Sequence, residues 1–253
     1  MPAEPVLITI PFSHYCEKAR WALDRAGVRY REQGHLPFFS RFAGLRYGAW
    51  NSVPLLCHGR SRLRSSSAIV AFADEQTAAE ARLHPTDPAA QSEVRSLEET
   101  FDQRLGPHAR RVAYAHILDQ PILREAVASA VPRAEAALLP VIFPLIREGI
   151  RRGLRIDARG IARSRVVVDE VFAEVADRLR DGRRYLVGDR FTAADLAFAA
   201  LACPGVFPEA YAARFPSLDG LPRAALDDID RLRATPAGQF VLRLYAEERR
   251  PTA

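Results

Sequence analysis

The chain has 253 residues, of which 48% are hydrophobic, and a formal net charge of +5. This length suits one large domain or two small ones with packed cores. No stretch reaches the ~18 apolar residues that a membrane-spanning helix needs, and the N-terminal residues lack the basic and apolar regions of a signal peptide. Three cysteines are too few for a disulfide framework. We therefore expect a cytoplasmic protein with no membrane partner.

The basic residues are nearly all arginines, and Lys18 is the only lysine. Seven arginines between positions 147 and 165 form the most basic stretch. No aromatic residues alternate with them, which favours a solvated helix face over a nucleic-acid-binding patch. We expect no nucleic-acid partner.

The first predicted element is a buried strand, since residues 6–10 form a short β-branched run. Pro11 ends the strand, and apolar residues at helical spacing then predict a helix that stops at Gly27. Ser13 suits the N-cap of this helix, its hydroxyl accepting from the backbone N–H of Cys16. Both residues thus lie at a helix N-terminus, which favours an anion such as a thiolate.

Three further strands complete the predicted sheet. The second, at 28–33, should lie parallel to the first through a βαβ crossover. Residues 34–52 are predicted to be an irregular loop, long enough to be functional. The third strand, at 53–57, turns back into a short fourth at 62–64. Ser66 is predicted to cap the helix that follows.

A polar, proline-bearing stretch at 78–88 is typical of an interdomain linker. It separates a predicted domain of residues 1–77 from one of residues 89–253. The second domain is predicted to be helical throughout. Its predicted helices cover 89–105, 108–118, 122–130, 135–153, 162–181, 193–201, 221–233 and 236–249. Thr192 and Asp195 have the spacing of a capping box.

Three motifs occur in a distinctive order along the chain. They are Ser13-His14-Tyr15-Cys16, then Val53-Pro54-Leu55-Leu56 followed by Ser65-Ser66-Ser67-Ala68-Ile69, and finally the segment from Tyr185 to Ala197 that holds the capping box. In this order they resemble the soluble glutathione S-transferases, in a bacterial branch with a Ser-His-Tyr-Cys motif. The resemblance implies a thioredoxin-like α/β domain followed by an all-helical domain.

The resemblance also implies a function. The protein would be a detoxifying glutathione transferase that adds the thiolate of its co-substrate, glutathione, to an electrophilic small molecule. Ser13 would donate its hydroxyl to the glutathione sulfur, and Tyr15 and Cys16 are further catalytic candidates. A homodimer is implied as well.

Four residues are implied to bind glutathione. Val53-Pro54 should form a cis peptide, so that the backbone of Val53 can pair with the cysteinyl part of the ligand. Ser66 would bind the γ-glutamyl carboxylate. Ser65 departs from the family, since an acidic residue or Gln usually stands here and grips the γ-glutamyl amine.

Plainer interpretations accompany each candidate. Ser13 could be only a helix cap, Tyr15 a packed aromatic and His14 a surface residue. Cys16 is expected to be a packed, inert thiol, or else active in disulfide exchange. The rival functions are thus a thiol–disulfide reductase that uses Cys16, and a non-catalytic binding or scaffold protein, which Ser65 favours. The histidines and cysteines show no metal-ligand spacing, so no metal is expected.

Overall fold

The computed structural model describes residues 4–50, 53–213 and 220–249. Its N-terminal part contains a four-stranded sheet. The strands are β1 (Val6–Thr9), β2 (Arg31–Gly34), β3 (Leu55–His58) and β4 (Ser61–Leu63). Their order is β2-β1-β3-β4, with β1 parallel to β2 and antiparallel to β3, and β3 antiparallel to β4. The predicted βαβ crossover is confirmed.

Helices form most of the rest of the described chain. They are α1 (His14–Arg25), α2 (Phe39–Leu45), α3 (Ser66–Glu75), α4 (Pro88–Thr100), α5 (Gly106–Ile117), α6 (Pro121–Ala130), α7 (Arg133–Gly153), α8 (Ala158–Arg178), α9 (Ala193–Val206), α10 (Glu209–Ala212), α11 (Arg223–Arg233) and α12 (Pro236–Glu247). The fold is therefore a thioredoxin-like α/β domain followed by an all-helical domain, as predicted. Within the described ranges, no helix is both long and apolar enough to cross a membrane.

The β1–α1 unit forms as its local sequence predicts. All four residues of β1 are buried. Ser13 is the N-cap of α1, and its Oγ accepts from the N–H of Cys16 over 3.4 Å. The helix ends before Gly27, whose φ of 65° is the left-handed conformation that glycine adopts readily.

Helix α9 is the centre of the molecule. Most of its residues are buried, because it packs against α1, α4, α5, α11 and α12. Thr192 and Asp195 form the predicted capping box at its start, and Asp195 also accepts from the N–H of Leu186 over 2.8 Å. A single apolar core runs from Leu7 in the sheet to Phe198 in α9. The two parts of the chain are thus packed as one body.

Two segments differ from the sequence-based expectation. The predicted loop at 34–52 contains helix α2. The last two residues of that predicted loop, Asn51 and Ser52, lie outside the described residues. The predicted break between 105 and 108 is absent, because α5 begins at Gly106. A π-helical turn, Phe101–Leu105, joins α4 to α5 without interruption.

Candidate functional site

The candidate residues meet at one edge of the sheet. In the strand register, Ile8 of β1 faces Leu55 of β3, and Leu56 faces Leu63 of β4. The end of β1, the start of β3 and the end of β4 therefore lie at the same edge. Ser13 follows β1, Val53-Pro54 precedes β3, and the Ser65-Ser66 pair follows β4. The topology thus brings together the segments that carry Ser13, Val53-Pro54 and Ser65-Ser66.

Ser13 lies at this edge and lines an apolar cavity. Its Oγ is an acceptor in the long hydrogen bond to the N–H of Cys16. That contact leaves the hydroxyl hydrogen available to donate to a ligand. The N-terminal N–H groups of α1 add a partial positive charge at the same point.

The Val53-Pro54 peptide bond is cis, as predicted. Pro54 is buried and Val53 is half-buried, immediately before β3. Neither residue is part of the cavity lining. A ligand that reached both Ser13 and Val53 would therefore extend from the cavity along the sheet edge.

The N-cap of α3 is Ser65 and not Ser66, which corrects the prediction. The Oγ of Ser65 accepts from the N–H of Ala68 over 3.1 Å, and Ser66 is the first helical residue. Ser65 is exposed whereas Ser66 is buried, with 4% of its surface accessible. The start of the helix lies one residue earlier than predicted because Ser65 has the extended backbone that a cap requires.

Cys16 lies one turn inside α1 and is fully buried. Burial raises the pKa of its thiol, against the lowering effect of Arg20 and of the hydrogen bond to Ser13. The thiol is thus kept protonated despite its place in the first turn. Cys57 and Cys203 are also buried.

His14 and Tyr15 turn away from the solvent toward the π-helical turn. The prediction of a surface position for His14 is wrong: it is 2% exposed, and its Nε2 lies 3.0 Å from the carbonyl oxygen of Gly106. The Tyr15 hydroxyl donates to the carbonyl oxygen of Asp102 over 2.7 Å. Burial, more than the nearby charges, raises the pKa of Tyr15 to about 12. Tyr15 does not line the cavity.

The π-helical turn explains why Tyr15 finds an acceptor there. In π-helical geometry the carbonyl of Asp102 would accept from the residue five positions later, which is Pro107 and has no N–H. The Tyr15 hydroxyl supplies the missing donor. Gly106 is needed for this contact, because a Cβ at that position would lie 2.2 Å from the Tyr15 oxygen.

A buried network of charges lies beside this turn, and no sequence pattern predicts it. The ammonium group of Lys18 is 2.7 Å from Asp102 Oδ2, 2.9 Å from Glu98 Oε1 and 3.0 Å from Ser67 Oγ. His84 continues the network, with Nδ1 2.7 Å from Asp74 and Nε2 3.3 Å from Glu98.

The network shifts the pKa values of His84 and Glu98. Burial alone would lower the pKa of His84, but its hydrogen bonds to Asp74 and Glu98 raise it to about 9. Burial alone would raise the pKa of Glu98, but His84 and Lys18 lower it to about 2. Lys18 was visible in the sequence only as the single lysine. Its partners come from positions 67, 98 and 102, which no local pattern connects.

The cavity lies between the sheet edge and the helical domain and has a volume of about 170 Å³. Its walls are mostly apolar, with Ile10, Leu36, Phe143, Phe172 and Phe207 among the larger side chains. Such a cavity suits an apolar small molecule. Its position beside Ser13 places any occupant next to the N-terminus of α1.

Family models for two domains match the α/β part and the helical part of the chain separately. The family model for the glutathione S-transferase N-terminal domain matches residues 7–81, and the model for the glutathione S-transferase C-terminal domain matches residues 158–204. These matches support a glutathione S-transferase family. The comparison with curated proteins gave no match.

Several solved structures share the fold of this GST-like chain. A glutathione S-transferase from Sinorhizobium meliloti has 20% identity and a TM-score of 0.58, with 99% of this chain and 96% of that chain covered. The beta-etherase LigF from Sphingobium has 17% identity and a TM-score of 0.60, with 95% and 99% covered. A theta class glutathione S-transferase from Xanthomonas axonopodis, with glutathione bound, has 20% identity and a TM-score of 0.52, with 96% and 98% covered.

The GST-like chain closes its cavity with a helical hairpin, α6–α7, which lies between the two matched ranges. Glu135 at the start of α7 holds the loop after β2: its carboxylate is 2.5 Å from His35 Nδ1 and accepts from the N–H of Leu36 over 2.8 Å. Leu139 and Ile146 of α7 pack on Leu36. One wall of the cavity is therefore set by a contact across about a hundred residues of sequence.

Proposed function

We propose that the protein is a glutathione transferase that joins the sulfur of glutathione to an electrophilic carbon of an apolar small molecule. The observation that carries this proposal is the Ser13 hydroxyl, which caps α1 and lines the apolar cavity. Its hydrogen is available to a sulfur bound at the helix N-terminus. The cavity beside it would hold the electrophile.

The magnitudes are adequate for this role of Ser13. Lowering a thiol pKa by two units takes about 2.7 kcal/mol. One hydrogen bond to a charged group contributes ~1.5–3 kcal/mol, and a helix N-terminus contributes ~0.3–1 kcal/mol. Together they can hold the sulfur of glutathione as a thiolate near neutral pH.

The reaction would be nucleophilic substitution or addition at carbon. In a substitution on an aryl chloride, the S–C bond forms, the C–Cl bond breaks and chloride leaves with the bonding electron pair. The thiol proton passes to solvent when the thiolate forms. Val53, Pro54 and Ser66 would bind the peptide part of glutathione along the sheet edge, and Tyr15 would support the turn beside Ser13 without touching the sulfur.

Cys16 does not favour the alternative of a thiol–disulfide reductase. Its thiol is fully buried, and burial raises its pKa. Attack on a disulfide needs an accessible thiolate. A packing role for Cys16 agrees better with both observations.

A non-catalytic binding protein is the second candidate, and Ser65 is the observation that favours it. Its hydroxyl already accepts from the N–H of Ala68, and it brings no negative charge to the γ-glutamyl amine. Weak binding of glutathione would leave the fold with a ligand cavity but little turnover.

Two measurements test the transferase. Glutathione at millimolar concentration should raise the melting temperature, because a ligand of the native state stabilises it. Chloride release from 1-chloro-2,4-dinitrobenzene should require both protein and glutathione. A thermal shift without turnover of this or related aryl halides would support the non-catalytic candidate, and the absence of both would overturn glutathione as the ligand.

We also propose a homodimer. Large apolar side chains of the α2 region are exposed, among them Phe38, Phe42 and Trp50, each more than half accessible. A second copy would cover such a patch. Light scattering should give a particle of twice the chain mass of 28.1 kDa, and a particle of single mass at working concentration would contradict the proposal.

A further inference from the structure

The charged residues of the cavity wall are mostly cationic. Among the described residues that line it there are three arginines, Arg110, Arg165 and Arg231, and one acidic residue, Asp228. The remaining lining is mainly apolar. An apolar cavity with an excess of positive charge favours a ligand that combines an apolar body with an anionic group.

Two of the three arginines already have acidic partners. Arg165 lies 2.7 Å from Asp228, which also pairs with His116 over 2.8 Å. Arg231 lies 2.8 Å from Asp169. Their charges are largely compensated within the protein, so neither is free to select a ligand.

Arg110 is different. Within residues 4–50, 53–213 and 220–249 its guanidinium has no hydrogen bond and no ion pair, and its Nε is buried without a partner. The group lies 6.0 Å from the ring centre of Tyr15. Together with burial, its charge lowers the pKa of His14 to about 3, so the adjacent imidazole stays neutral and does not compete for an anion. A partly buried cation without a counter-ion is costly unless a ligand supplies one.

Tyr114 supplies a second donor on the same helix face. It lies four residues after Arg110 in α5, which places the two side chains one above the other. Both line the cavity. The Tyr114 hydroxyl has no hydrogen-bond partner among the described residues, and burial raises the pKa of Tyr114, so it remains a donor. A cation and a hydroxyl at this spacing can hold the two oxygens of one carboxylate.

We propose that the substrate of this cavity is an apolar carboxylate, whose carboxylate group pairs with Arg110 and accepts a hydrogen bond from Tyr114. The inference rests on the proposed function in one respect only: the carboxylate would belong to the electrophile that meets glutathione. Arg110 and Tyr114 would thus anchor the carboxylate end of the molecule in the cavity, and the rest of its body would reach the glutathione sulfur.

The test compares two ligands that differ in one charge. Binding of 3,5-dinitrobenzoate and of the neutral 3,5-dinitrobenzamide is measured by isothermal titration calorimetry without glutathione. The carboxylate should bind about ten times more tightly than the amide, because one charge-assisted pair commonly gives at least that factor. Equal affinity for the two would overturn the proposal.

Variants then assign the preference to Arg110. Arg110→Met should weaken the carboxylate about tenfold and change the amide less than about twofold, while Arg110→Lys should keep part of the preference. Tyr114→Phe should give a smaller loss, again for the carboxylate alone. The matched control is Arg180→Met, since Arg180 is 77% exposed and outside the cavity lining. An equal loss for both ligands in Arg110→Met would overturn the assignment.

Turnover separates this inference from the transferase proposal. With glutathione, 4-chloro-3,5-dinitrobenzoate should be used with a lower KM than its carboxamide, and Arg110→Met should remove the difference. If the carboxylate binds through Arg110 but glutathione gives neither thermal shift nor turnover, the transferase fails and the carboxylate site stands. If both aryl chlorides react with the same KM, the transferase stands and the carboxylate site is overturned.

Discussion

Ser13 and Ser65 are both N-cap residues, yet at the residue scale they are expected to differ in function. Each hydroxyl accepts one backbone N–H, from Cys16 and from Ala68 respectively. The contact of Ser13 is the longer of the two, at 3.4 Å against 3.1 Å. Ser13 also lines the cavity, whereas Ser65 is exposed at the sheet edge. Substitution separates the capping role of each from its role toward a ligand.

Replacing Ser13 by Ala should lower kcat by about 30- to 150-fold, which corresponds to losing about 2–3 kcal/mol of thiolate stabilisation. The pH–rate profile should shift upward, since the bound thiol would ionise less readily. The control is Thr235→Ala, which removes the N-cap of α12, where Thr235 accepts from Gly238 over 3.0 Å. Both variants should lose about 1 kcal/mol of stability, and only Ser13→Ala should lose rate. Unchanged kinetics would leave Ser13 as a cap alone.

Replacing Ser65 by Asp should tighten glutathione binding by up to about tenfold, because a carboxylate would meet the γ-glutamyl ammonium. Asp is also a good N-cap, so α3 should keep its start. Ser65→Asn has nearly the same shape and caps as well, but adds no charge. The gain of Asp over Asn should shrink as salt rises. Equal affinities in calorimetry would mean that a carboxylate elsewhere, such as Asp102 beside Ser67, already serves the amine.

At the scale of elements, the π-helical turn determines where α1 and α5 meet. Gly106 lies against Tyr15, whose hydroxyl bonds to Asp102 in the same turn. A side chain at position 106 cannot be added without moving the ring. The turn thus couples the start of α1, where Ser13 lies, to the helix that carries Arg110.

Gly106→Ala should destabilise the protein by about 1–3 kcal/mol, as overpacking of a filled site does. The added Cβ would lie 2.2 Å from the Tyr15 oxygen and 2.6 Å from its Cζ. Gly149→Ala on α7 is the control, since its Cβ would meet nothing within 4 Å, and alanine there should stabilise the helix by up to about 1 kcal/mol. Denaturant unfolding measures both. Similar effects of the two variants would show that the contact with Tyr15 is not tight.

The elements that were predictable from sequence are those whose causes are local. The β1–α1 unit follows from Pro11, Ser13 and Gly27, and the capping box from Thr192 and Asp195. The geometry of the candidate site that the sequence could not predict comes from distant partners. Lys18 meets side chains 49 and 84 positions away, and Glu135 holds the loop after β2 across 100 positions.

The sequence likewise could not predict the position of Arg110 in the cavity wall. In the sequence it is one of many arginines, and its neighbours do not mark it. Only the packing of α5 against α1 leaves its guanidinium beside Tyr15 with no acidic partner in the described part of the chain. The helix α2 was missed for another reason: Phe38, its N-cap, has a φ of 72° and no side-chain capping bond, so no usual start signal precedes it.

At the scale of the whole molecule, the His84 network joins the linker to both domains. The carboxylate of Asp74 in α3 accepts from the N–H of Leu83 and of His84. Glu98 in α4 pairs with both His84 and Lys18 of α1. The ionisation of His84 therefore affects the stability of the entire fold.

The free energy of unfolding should fall as pH rises from about 6.5 to 9. The pKa of His84 is raised in the native state, to about 9, so its stabilising charge is fully present below the unfolded pKa of about 6.5 and is lost as pH passes the native value. The expected loss is about 2 kcal/mol, after allowance for partial exposure. Glu98, with its native pKa lowered to about 2, should matter only in acid, where stability falls below about pH 4.5.

His84→Gln provides the comparison, because it removes the titrating group and leaves the other ionisable residues in place. Chemical denaturation of both proteins across this pH range gives the difference directly. The variant should be less stable at pH 6 and converge toward the wild type near pH 9. Parallel curves at every pH would exclude His84 as the source of the pH dependence.

The single lysine has a consequence for chemical labelling. Lys18 has no accessible surface, and its amine is held by Asp102, Glu98 and Ser67. Acylating reagents such as succinimidyl esters react with a free, unprotonated amine, so the folded chain should be inert to them at its only lysine side chain. Acetylation of Lys18, followed by mass spectrometry, should therefore require the interface between α1, α3 and α4 to open, and its rate should follow the fraction of molecules in the open form. Labelling of this one residue thus reports the opening of that interface.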